Sequence, residues 1–289
     1  MFGWELRRLC ASHWGWFVAI ATFAFCIGLI AIKHSWGRPV VDGVRGESIE
    51  ILGTTAVGVP YLMVSGLLTL FAVFIPFLAD DGVARDYQRS VHELVMATPI
   101  STRSYVWGRY LACLAVSGSL DLLLLAAVLV MGPVLRAAAA YPLPDIGLVL
   151  RIWMLAVLPA TAVVASLSFA LGTLLPRMAV VGKLVTVLGW ISVAFLTDVV
   201  DHGGTWFTYW NPTSYGIVRV NVDAFLQAYL TQVTDVAAAS QRLAIGLRLQ
   251  DRQPDLWPWV IPHLVLVATC LLVVALVAAR FPRFRTVLG

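Results

Sequence analysis

Few side chains in this chain combine the type and the spacing that chemistry needs. Asp121 stands out, because it sits in the middle of the apolar stretch SGSLDLLLL. A carboxyl there costs about 2.5–3.5 kcal/mol on the insertion scale, so it must face a protein interior or a wet cavity. It can line a substrate path, or it can hydrogen-bond a Ser or Thr of a neighbouring helix. Arg151 falls in the first turn of an apolar run and can reach its surface, and Lys183 and Asp198 lie near run ends. The residues that would mark enzyme chemistry are not arranged for it. Ser65-Gly66 and Ser117-Gly118 lack the preceding glycine of a nucleophile motif, and the five histidines fall in loops or at the edges of apolar runs. There is no HExxH, and Gly182-Lys183 is followed by leucine rather than the hydroxyl of a phosphate-binding loop. Asp81, Gly82, Ala84 and Arg85 approach the start of a phosphotransferase motif, but the spacing is short and no downstream carboxylate cluster follows to hold metal. The chain itself is therefore expected to be non-catalytic, with no cofactor and no metal.

The elements around these residues are set by the solvent they require. Of 289 residues, 60% are hydrophobic and 12% charged, and the mean hydropathy is +0.86. Soluble domains hold about 25% charged residues. The composition excludes a soluble enzyme, a disordered chain and a nucleic-acid binder. Cys10, Cys26, Cys113 and Cys270 avoid the long polar loops, so no disulfide framework is expected.

A membrane-spanning helix needs about 20 mostly apolar residues. Six such runs are expected to span, at 14–32, 59–79, 104–132, 148–175, 180–200 and 259–279. The fold class is all-α: a polytopic membrane protein with one transmembrane domain over 1–289. Residues 1–13 place Phe2, Leu6, Leu9 and His13 on one face of a short interfacial helix, unless they merely extend the first span. Eleven of the twenty Lys and Arg fall in or beside the short segments on the side of the termini. This bias predicts a cell (cytoplasmic) membrane protein with both termini cytoplasmic.

Two connecting segments carry more pattern than the rest. Residues 201–258 open with the aromatic cluster Trp206, Phe207, Tyr209, Trp210 and Tyr215, interrupted by Asn211-Pro212. Val218, Val222, Phe225, Leu226, Tyr229, Leu230 and Val233 then form one helical face. This reads as a broken extracytoplasmic element that dips toward the membrane, or as an ordinary loop with an aromatic belt. The second segment lies between spans two and three. Tyr87, Val91, Leu94 and Val95 make an amphipathic helix over 84–97, with Arg85, Asp86, Arg89 and Glu93 around it. Thr98-Pro99 then reads as an N-cap with proline at the first helical position. Amphipathic helix, sharp turn and long span make a stiff part through which a cytoplasmic partner can push on a membrane helix. A plain interfacial connector is the other reading.

This second segment resembles the permease subunit of type-2 ABC exporters. The matching residues are Asp86, Arg89, Glu93, Leu94, Ala97, Thr98, Pro99, Ser101, Arg103 and Gly108, and Arg109 keeps the charge where the family has lysine. The order of spans and connecting elements resembles the family throughout, and the Asn211-Pro212 turn with its following helix resembles the sub-branch linked to copper-enzyme maturation. The resemblance implies two permeases, a second copy or a sister chain, paired in membrane lipid. It implies that Arg85, Asp86, Arg89, Glu93, Leu94, Thr98, Pro99 and Arg103 couple to a separate ABC ATPase subunit, which binds ATP and Mg. It also implies an outer gate near Trp206–Tyr215. A membrane scaffold and an intramembrane enzyme built on Asp121 are the rival readings.

Overall fold

A computed structural model describes residues 13–32, 34–39, 48–68, 74–77, 83, 86, 101–200, 206–233 and 238–281. The chain is a bundle of apolar helices. Helix α1 (His13–Ile32) leads into a hairpin of β1 (Ser35–Pro39) and β2 (Ser48–Leu52), antiparallel with Trp36 opposite Ile51. Helix α2 starts at Gly58–Pro60 and widens into π-helix over Tyr61–Leu68. Helix α3 (Thr102–Ala139) is followed by α4 (Ile146–Leu174), a 3₁₀ turn at Pro176–Met178, and α5 (Ala179–Val200). Beyond these come α6 (Trp206–Trp210), α7 (Tyr215–Val233), α8 (Ala239–Gln250) and α9 (Trp257–Arg280).

Four of these helices, α3, α4, α5 and α9, are long and apolar enough to cross a membrane, and the apolar part of α1 runs from Trp16 to Ile32. The second expected span is described only in Gly58–Leu68 and Phe74–Phe77. The expected interfacial helix over 1–13 lies outside the described residues except for His13. The expected helix over 84–97 lies outside them except for Asp86, which is helical, as is Val83 just before that range.

Helix α4 is the centre of the bundle and packs against α3, α5 and α9, while α1 packs on α3. Its middle is not a regular α-helix. Pro159 has no N–H to return to the carbonyl one turn earlier, and the turn before it opens into π-helix over Trp153–Val157. The outward faces of α5 and α9 leave Val180, Leu188, Ile261 and Leu264 exposed, as a lipid-facing surface requires.

Three expectations are corrected here. The all-α reading omits the β1–β2 hairpin, which lies between the first two expected spans. Span three does not stop near residue 132. It continues through Pro133 to Ala139 and ends where Ala140 turns left-handed at φ 55°. The described N-cap of α3 is Ser101, whose hydroxyl accepts from the Ser104 amide at 3.2 Å; Thr98 and Pro99 lie outside the described residues.

The hairpin end of the bundle is tied together by one glutamine. Gln250 closes α8, and its Nε2 donates to the Glu50 carbonyl at 2.9 Å. Its Oε1 accepts from the Leu52 amide at 3.0 Å and from the Thr55 hydroxyl at 3.2 Å. Its backbone carbonyl accepts from Val57 at 3.1 Å. The side-chain amide thus stands in for a neighbouring strand on the outer edge of β2. Arg151, Gln253 and Asp145 add a second link: Arg151 donates to Gln253, and Gln253 donates to Asp145, each at 2.8 Å.

Candidate functional site

At the opposite end of the bundle, the first two turns of α3 carry Tyr105 and Arg109. Both side chains are buried, and both turn toward Asp86. Tyr105 donates its hydroxyl to Asp86 Oδ2 at 2.7 Å, and Arg109 forms a buried ion pair with the same oxygen. The guanidinium also lies 5.7 Å from the centre of the Tyr105 ring. Spacing explains the pair, because residues four apart on a helix present neighbouring side chains. The Tyr105 ring also meets Phe281, just past the end of α9, in a tilted pair with ring centres 6.5 Å apart. One carboxylate therefore joins the segment before α3 to α3 itself, and Tyr105 carries the contact on to the end of α9. Nearby chemistry of the same kind holds Lys183, whose Nζ lies 5.6 Å from the Phe77 ring centre.

Of the residues expected to couple to a partner, Asp86 is thus placed in this latch and Arg103 is exposed on the first turn of α3. Arg85, Arg89, Glu93, Leu94, Thr98 and Pro99 lie outside the described residues. Tyr105 was not singled out from sequence, because a tyrosine at a span edge is ordinary until its partner is known.

Asp121 is fully buried between α3 and α4. Its Oδ1 accepts from the Thr161 hydroxyl at 3.0 Å, and its backbone carbonyl accepts from the Trp153 indole at 3.0 Å. Its Oδ2 has no hydrogen-bond partner among the described residues. About three turns earlier on α3, Tyr110 shares a hydrogen bond of 2.8 Å with Ser166 of α4. The neighbouring-helix threonine that the sequence leaves open as a partner is present. The arrangement is interhelical, and no charged side chain hydrogen-bonds Asp121 among the described residues.

The aromatic cluster is divided. Trp206 is 74% exposed and meets Phe207 edge to face at 6.0 Å. Tyr209 packs inward on Trp259, with ring centres 5.1 Å apart. Trp210 is exposed and Tyr215 half-buried. Between them the chain turns sharply. Asn211 Oδ1 accepts from the Thr213 amide at 2.8 Å and its hydroxyl at 2.7 Å, and Ser214 adopts φ 57°. Helix α7 can start beside α6 only because residue 216 is glycine: a Cβ there would lie 2.2 Å from the Thr208 carbonyl oxygen. The buried face of α7 includes Val218, Val222, Phe225, Tyr229 and Val233.

The turn ends on a polar node not anticipated from sequence. Ser214 Oγ lies 3.0 Å from the Ala156 carbonyl oxygen in the π-helical turn of α4. It also lies 3.1 Å from Nε2 of His263, whose Nδ1 is 2.8 Å from the Trp259 carbonyl. Both side chains are fully buried. His263 lies in the second turn of α9, near the start of the helix as the sequence reading has it; α9 begins at Trp257 with Pro258 in its first turn. Proline is well suited to a first turn, and Trp257-Pro258 is the signal that could have moved the boundary.

Among the described residues, no group of three His, Cys, Asp or Glu side chains could hold a metal ion. Comparison with known protein families, characterised proteins and solved structures yields no match.

Proposed function

We propose that this chain is the transmembrane permease subunit of an ATP-driven ABC exporter. It lies in the cell membrane with both termini cytoplasmic and pairs with a second copy or a sister permease. It carries no catalysis of its own. ATP and Mg bind a separate ATPase subunit, whose motion enters through the segment before α3.

The observation that supports this reading is the Asp86 latch. A partner that moves the segment carrying Asp86 moves the start of α3 with it, through Tyr105 and Arg109. Because Tyr105 also touches Phe281, the same displacement reaches the end of α9. A buried ion pair gives poor return in stability alone, since desolvation offsets much of the attraction. Holding two elements in one register is the use that fits its position. Asp121 and the Trp206–Tyr215 segment then belong to the path and its outer gate.

The deciding experiment is a mild-detergent purification of the tagged chain from its native cells, with mass spectrometry of what accompanies it. A stoichiometric ATPase bearing a nucleotide-binding motif supports the proposal. Its absence, where a control ABC complex survives, overturns it; a different stoichiometric partner favours a scaffold. Charge reversal of Glu93 to Arg is expected to lower ATPase recovery at least about tenfold, equivalent to about 1.4 kcal/mol, while membrane insertion is unchanged. Full recovery of the ATPase would remove this segment from the coupling surface.

A further inference from the structure

The hydrogen count at the Ser214–His263 node does not close with a neutral imidazole. The carbonyl oxygens of Ala156 and Trp259 can only accept. Ser214 offers one hydroxyl proton, and a neutral ring offers one N–H. With the ring proton on Nδ1, that N–H serves Trp259, and the serine must choose. If it donates to Ala156, its oxygen and Nε2 face each other as two acceptors at 3.1 Å. If it donates to Nε2, its oxygen faces the Ala156 oxygen at 3.0 Å with no proton between them. With the ring proton on Nε2, the serine is satisfied on both sides, but Nδ1 then faces the Trp259 oxygen at 2.8 Å as a second acceptor. Either tautomer leaves one of the three contacts unmade. A second ring proton completes all three.

We propose that Ser214 and His263 form a proton-binding site, and that its occupation clamps the Asn211–Ser214 turn onto α4 and α9. The site stands at three irregularities: the π-helical turn before Pro159, the left-handed backbone of Ser214, and Pro262 within α9. The serine and its carbonyl partner therefore come from places where regular helix has been interrupted, while the Trp259 carbonyl lies one turn before the ring on its own helix. The Trp259 carbonyl points its negative end at the ring, and the Ala156 carbonyl points its negative end at the serine. The neighbouring elements carry other ionisable groups. Helix α6 brings Tyr209, α7 begins with Tyr215, α3 carries Tyr110 and Asp121, and α9 itself carries Cys270; α4 has none from Trp153 to Leu174. Among the described residues none of these side chains hydrogen-bonds His263, so the proton count belongs to the node itself. This inference does not depend on the transport reading, because it concerns only how the aromatic segment is held.

Ring ¹⁵N NMR of the histidine-labelled full chain in nanodiscs, followed from pH 8 to pH 5, tests it. His263 is identified by the signals missing from His263→Asn. If that variant does not fold, a chain with the other four histidines changed to glutamine isolates the same signals. The expected result is passage from a one-proton to a two-proton pattern as pH falls. Ser214→Ala, which removes the acceptor for Nε2–H, is expected to move that passage to lower pH. The Ile217 amide donates to the Ser214 carbonyl at 3.1 Å, so its hydrogen exchange, corrected for its intrinsic pH dependence, should slow at least about threefold on protonation in the native chain and not in Ser214→Ala. A His263 ring that keeps one proton throughout, a passage unmoved in Ser214→Ala, or exchange at Ile217 indifferent to the ring's state would each overturn the proposal.

Discussion

Arg109 holds its charge next to Asp86 inside the protein, so the two residues stand or fall together. Replacing Arg109 with Gln leaves a buried carboxylate with its main counter-charge gone, and the expected loss is about 3–5 kcal/mol. Asp86→Asn combined with Arg109→Gln should cost clearly less than the two single changes summed. Chemical unfolding in detergent measures the cycle, and additive losses would show that the pair is not coupled. How much of this was legible differs from residue to residue. Arg109 and Asp86 are conspicuous as charges beside apolar runs. Tyr105 is not, because its partner lies 19 residues upstream, beyond the reach of any helical spacing. Asp121 announces itself by its cost in lipid, and the sequence leaves two uses open for it. Thr161, 40 residues away, answers one of its oxygens but not the other. Ser214 and His263 were invisible for a plainer reason. A histidine near a helix end looks solvated, and hydropathy does not show that the Asn211–Ser214 turn folds over it.

The helices were read from apolar runs, and their errors occur where backbone geometry rather than hydropathy decides. Pro133 looks like a stop signal, but α3 absorbs it and ends seven residues later at a left-handed alanine. Alanine in that conformation carries a penalty of about 1–2 kcal/mol that glycine does not. Ala140→Gly is therefore expected to stabilise the protein by about 1 kcal/mol, read as a raised unfolding midpoint. A lowered midpoint would mean that the left-handed cap is not occupied. The π-helical turn before Pro159 leaves no pattern in hydropathy at all, since its residues remain uniformly apolar. The β hairpin had one trace in the sequence, the alternation of Ser48, Ile49, Glu50 and Ile51. Four residues of alternation beside a glycine-rich stretch are too few to mark a strand on their own.

For the molecule as a whole, composition dictated the solvent, and the clustering of charges predicted which segments share an end. What composition does not contain is how the ends are closed. Gln250 reaches back 200 residues to the Glu50 carbonyl, so neither the hairpin nor α8 completes its hydrogen bonds without the other. Gln250→Ala leaves the part-buried Leu52 amide and Glu50 carbonyl without these partners, at an expected cost of about 1 kcal/mol. Amide exchange at Leu52 should quicken accordingly, and unchanged protection there would show that other groups close the strand edge. The length of α3 has a consequence on the same scale. Its 38 residues extend about 57 Å, nearly twice the roughly 30 Å hydrocarbon layer. Asp121 lies at the midpoint, fastened to α4 through Thr161 and Trp153. Pivoting there as a stiff rod, the helix would act as a balance beam. A swing of about 5° would carry each tip through about 2.5 Å in opposite directions. A small push where Tyr105 and Arg109 sit would arrive, reversed in sense, at Ala139 at the other end of the helix, at the cost of straining the Tyr110–Ser166 bond between them.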